Sequence, residues 1–131
     1  MKTKTKTAPS PSPSPGPSAP TLPTLMEFIT AKQARQCQIK IVVGTFMVMD
    51  WRVTLEDTAF LPSDFTLNGS FYEKELKDFE VRGTLDALLE GRGNIGGAVA
   101  ARITCDGKAL APDLEVILKN LYGFDAKSYV V

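Results

Sequence analysis

The sequence predicts an α+β domain: a strongly curved antiparallel sheet, or partial barrel, of four or five strands, with a helix at each end of the folded segment. Three observations point there. Residues that are apolar except for Thr45 alternate from Ile39 to Leu55, two shorter alternations follow, and residues spaced by three and four flank them near Leu25 and Leu114. Period two turns one face of a strand toward a core, and spacing of three and four does the same for one face of a helix.

At 131 residues, with 44% hydrophobic and 23% charged, the chain is sized and composed for one globular core. Its first 23 residues differ. Lys2, Lys4 and Lys6 are the only charges before Glu27, and Pro9, Pro11, Pro13, Pro15, Pro17, Pro20 and Pro23 are spaced by Ser, Thr, Leu, Gly16 and Ala19. Proline fixes φ and has no N–H to donate, so residues 1–23 are expected to be a disordered tail, with 9–23 reaching about 45 Å at ~3.1 Å per residue if extended. A proline-rich recognition ligand has the same composition. The folded domain is expected over residues 24–131.

Thr24, with Glu27 three residues later, forms a capping-box pattern ahead of Leu25, Phe28, Ile29 and Lys32, which predicts a short helix to about Gln36. Then Ile39, Ile41, Val43, Thr45, Met47, Met49, Trp51, Val53 and Leu55 share one face of a long strand. A strand of that length needs a bend or bulge, and Gly44 is the expected place. Pro62-Ser63-Asp64 reads as a turn. Alternation at Phe65 to Phe71 and again at Phe79 to Leu85 predicts two strands, joined through a charged hairpin tip at residues 73–78.

Residues 84–105 fit either period and are read as strand, with Val99, Ala101, Ile103 and Cys105 alternating before a tight turn at Asp106-Gly107. After Pro112, the spacing of Leu114, Ile117, Leu118 and Leu121, the Glu115/Lys119 pair and Gly123 predict a second helix. Tyr129-Val130-Val131 could add a last short strand.

Charge and residue usage narrow the chemistry. After Lys6 there are 12 basic and 15 acidic residues, net −3. Nucleic-acid binding draws most of its affinity from a basic face, which is missing, so Phe46, Tyr72 and Arg52 make a poor stacking platform. With no histidine the chain lacks the commonest general base and metal ligand. The acidic residues Glu56, Asp57, Glu73, Glu75, Asp78 and Glu80 lack calcium-loop spacing. Cys37 and Cys105 are too few for a disulfide framework and are expected to be reduced. No catalytic residue, metal site or cofactor is therefore expected, and without an apolar leader or span the expected location is cytoplasmic.

Gly91, Gly93 and Gly96 match the glycine spacing of dinucleotide-binding loops, with Asp113 and Glu115 about 20 residues on to meet a ribose. That chemistry needs a helix immediately after the loop. A glycine-rich hairpin loop is the simpler reading. Met47, Met49 and Trp51 with Phe65, Phe71 and Phe79 could line a cup for a small apolar ligand, or be core.

The half-apolar second face of the long strand, with Val42, Phe46 and Val48, must be covered by the two helices or by another subunit, and exposed edges invite strand addition. The expected function is a non-enzymatic protein-binding or assembly module on a tether, with partner contacts at Val42, Phe46, Val48, Trp51 and Tyr72 and self-association as one outcome. A small apolar-ligand carrier is the second reading and a dinucleotide-binding enzyme fragment the third.

Overall fold

A computed structural model describes residues 34–131, so the Pro/Ser tail and most of the helix expected from Thr24 lie outside the described residues. Within them the fold is all-β, not α+β. Eight strands form one antiparallel sheet: β1 (Ala34–Leu55), β2 (Thr58–Phe60), β3 (Thr66–Asn68), β4 (Phe71–Arg82), β5 (Thr84–Cys105), β6 (Lys108–Ala109), β7 (Leu114–Ile117) and β8 (Tyr122–Val130). Among the described residues the only helical piece is the single 3-10 turn Pro62–Asp64, where the sequence predicts a turn.

β1 and β5, 22 residues each, are the spine. They pair from Ile39 opposite Cys105 to Leu55 opposite Ala87. Each half of the spine has different outer neighbours. The first half of β1 takes β4 and its second half takes β2, while the first half of β5 takes β8 and its second half takes β7. In both halves the odd-numbered residues point inward, among them Ile39, Ile41, Val43, Val53 and Leu55 of β1 and Leu85, Leu89, Val99 and Ile103 of β5. One face of the sheet thus buries a single core, which requires the sheet to curl on itself.

The curl is made where the spine pairing breaks. Phe46 pairs with Ala98, then Val48 with Gly93, then Asp50 with Arg92. Residues 94–97 of β5 and Met49 of β1 are the surplus, and Met47 takes a left-handed φ of 57°. Here the two backbones touch. A Cβ on Gly97 would stand 2.5 Å from the Met47 carbonyl oxygen, and one on Gly93 would stand 3.0 Å from Val48 Cα. The bend is therefore at Met47 and Met49, not at Gly44, where the Phe71 ring instead lies within 3.2 Å of a Cβ position.

Other expectations are corrected by the same sheet. Residues 34–36, placed at the end of the first helix, open β1. The segment 73–78 is not a hairpin tip, because β4 runs straight through it against β1, with Glu73 opposite Val42 and Leu76 opposite Ile39. A bulge there, with Asp78 at φ 58°, moves the inward residues from even numbers to Phe79 and Val81, which breaks the alternation in the sequence.

The predicted C-terminal helix is β7, a connection and the start of β8. Leu114, Val116 and Leu118 are buried at strand spacing, while Ile117 and Leu121 face out. Gly123 is no helix cap; its Cβ position lies 2.9 Å from Val116. The turn at Asp106-Gly107 is present, with both residues at positive φ. Tyr129 and Val130 end the nine-residue β8.

Candidate interaction surface

Curling the sheet turns the spine's break outward, and large apolar side chains collect there. Phe46, the half-buried Ala98 and Ile117 form one row across β1, β5 and β7, with Phe46 and Ile117 exposed. Beyond it, the Gly93 amide donates to Leu121 O (3.1 Å) and the Gly96 amide to Leu118 O (2.9 Å), which sets the β7–β8 connection against the break. Met47, Met49, Ile95 and Leu121 therefore sit at the same end. Met49 is 82% exposed, and Ile95 and Leu121 are each 68% exposed. Exposed apolar groups are ordinary singly; gathered at one end they are a contact surface.

The sheet edges nearby are closed to strand addition by side chains. Asp50 Oδ1 accepts the Trp51 amide at 2.9 Å, and Asp125 Oδ2 accepts the Glu115 amide of β7 at 2.9 Å. Along its unpaired edge β4 carries Lys74, Glu75, Lys77 and the Asp78 bulge. Carboxylates on edge amides, charges and bulges all keep a second strand from pairing.

Next to the apolar end, Asp50, Arg52, Glu90, Arg92 and Tyr122 line an outward cleft of about 410 Å³, with Leu61 beside them. Arg52 donates to Glu90 Oε1 at 2.8 Å, and the Tyr122 hydroxyl donates to Oε2 at 2.7 Å. Burial acts to raise the Glu90 pKa, but the Tyr122 and Arg52 hydrogen bonds outweigh it and hold the carboxyl below its ordinary 4.5. The bond to Glu90 raises the Tyr122 pKa in turn.

A folded-state value below the unfolded one means a stabilising contribution that is complete above the unfolded value and is lost as pH falls through the folded one. The stability gap between the native protein and Glu90→Gln is therefore expected to be widest near neutrality and to close as pH drops below 4.5. Urea unfolding at a series of pH values measures this; a gap that stays constant with pH would remove Glu90 from the acid dependence.

Of the surface residues expected from sequence, Phe46 is exposed in the row it shares with Ile117. Val48 is half-buried against the core, and Val42 is half-buried between Glu73 and Arg102. Trp51 is buried, its ring 4.9 Å from Phe65 and 5.2 Å from Tyr72, both edge-on, so these aromatics close the core together. Met47, Met49 and Phe71, grouped with them in the sequence reading, are exposed instead. Gly91, Gly93 and Gly96 fall in the middle of β5, in no hairpin loop, and the chain after Gly96 is strand. This glycine segment presents no helix N-terminus to a pyrophosphate.

Nothing in the sequence marks Met47, Met49, Ile95, Ile117 and Leu121 as surface. By alternation the two methionines belong inside, and only the break in pairing turns them out.

Among the described residues no buried side chain is polar or charged. Burial, followed by the bond to Cys105, pushes the Cys37 thiol up to about 12, far from the range of a nucleophile at neutral pH. No helix among the described residues is long and apolar enough to cross a membrane. Comparison with protein-family models, with curated proteins and with solved structures returns no match.

Proposed function

We propose that this domain is a non-enzymatic binding and assembly module that associates with copies of itself through the apolar end of the curled sheet. The observation that carries this is the exposure together of Phe46, Met47, Met49, Ile95, Ile117 and Leu121 at one end. All six are uncharged, so the surface can face a second copy of itself without like-charge repulsion, as a two-fold contact requires. The closed edges favour contact through side chains over strand addition. Flexible methionines suit such a surface because they adapt to the facing shape.

Light scattering across a wide concentration range tests it on the full chain and on Ile95→Lys/Leu121→Lys. The mass of the native chain is expected to rise from 14.2 kDa toward a multiple of it, and the double variant is expected to stay at 14.2 kDa. A native chain that stays monomeric at every concentration overturns self-association, and a variant that still assembles moves the interface elsewhere.

A further inference from the structure

Away from the break in its middle, one end of the spine holds a cluster that the assembly surface does not use. Cys37 of β1, Cys105 at the end of β5 and Asp106 in the tight turn after it each bring one sulfur or carboxylate oxygen within 4.8 Å of the others. Both thiols are buried, while the Asp106 side chain is 45% exposed and opens the cluster to solvent. We propose that Cys37, Cys105 and Asp106 form a binding site for a thiophilic divalent metal ion of the zinc class, independent of the assembly surface.

The spacing suits such an ion. Two sulfurs bound at about 2.3 Å in a tetrahedral site stand about 3.8 Å apart, so atoms already within 4.8 Å need side-chain adjustments of only about 1 Å. The surroundings are those of a supported site. Asp106 Oδ1 accepts the Gln38 amide at 2.8 Å, and the Asp106 amide donates to Gln38 O at 2.9 Å, which fastens the turn to β1. Arg35 donates to Asp106 Oδ2 at 2.6 Å and reaches Cys105 Sγ at 3.7 Å. Hydrogen bonds of this kind orient ligands, and it is the charge of the bound ion itself that deprotonates coordinating thiols.

Charge also balances. A divalent ion displaces both thiol protons, which leave to water, and the two thiolates and one carboxylate are then neutralised by the ion together with the Arg35 guanidinium. Water entering past Asp106 supplies the fourth position.

Cadmium titration of the reduced, chelator-stripped full chain is the test, because thiolate binding gives an ultraviolet charge-transfer band. One equivalent is expected to saturate the band, zinc is expected to compete it away, and zinc alone is expected to raise the melting temperature. Cys37→Ser and Cys105→Ser are expected to lose the band. Asp106→Asn guards against variants that fail to fold: asparagine tolerates the φ of 52° and can still accept the Gln38 amide. That variant is expected to bind roughly tenfold more weakly or worse. No band at saturating cadmium, a band that survives Cys105→Ser, or an Asp106→Asn affinity equal to native overturns the site. The mass of the native chain is expected not to depend on zinc, so failure here and failure of the assembly reading are separately visible.

Discussion

Gly97→Ala is expected to destabilise the protein by about 3 kcal/mol, at the upper end for overpacking. The new methyl would stand 2.5 Å from the Met47 carbonyl oxygen and 3.1 Å from the Asn94 oxygen. Both are backbone atoms, so no rotamer change relieves the clash, and the close approach of β1 to β5 at the break itself must open. Gly69→Ala is the control. Gly69 has φ +64° with nothing within 4 Å, so alanine there meets only left-handed strain of about 1 kcal/mol. Urea denaturation followed by Trp51 emission measures both, since Trp51 is the only tryptophan and is buried against Phe65 and Tyr72. Equal losses for the two variants would mean that the backbones at the break are not in contact.

Leu89→Ala is expected to cost about 2–5 kcal/mol, the range for a leucine removed from a close-packed core. Leu89 is fully buried, and its strand position lies between Val53 of β1 and Asp125 of β8. For a domain of about 100 residues that loss lowers the melting temperature by about 10–25 °C. Leu88→Ala, one residue away on the outer face, is expected to cost far less. A reversal of that order in thermal melts would place the core on the other face of β5 and overturn the inward register of the odd-numbered residues.

Strand and helix separate differently along this chain, and the reason lies in what each residue touches. Ile39, Ile41, Val43, Val53 and Leu55 could be placed inside from alternation alone, and all five are fully buried. Leu114, Ile117, Leu118 and Leu121 fit a helix equally well on paper. They form a strand and a connection because β5 offers an open edge at residues 98–101 and Gly123 lets β8 approach Val116. Local spacing does not reveal an edge waiting elsewhere in the chain.

The candidate sites were hidden for related reasons. Met47 and Met49 continue an inward alternation until a left-handed residue and a surplus one turn them outward, and nothing in a methionine announces positive φ. Cys37, Cys105 and Asp106 lack metal-ligand spacing because the two thiols stand far apart in the sequence and meet only through the pairing of β1 with β5.

By itself the sequence determined the strand character of residues 39–55 and 99–105, the inward placement of Ile39, Ile41, Val43, Val53, Leu55, Val99, Ala101 and Ile103, and the Asp106-Gly107 turn. These follow from period-two burial and turn residues, both readable within a few neighbours. Tertiary structure alone decided the all-β class at the C-terminal end, the place of the bend, the apolar end it exposes and the thiol–carboxylate cluster. Each of these depends on backbone pairings between residues distant in the chain, where contact with a partner strand outweighs local preference.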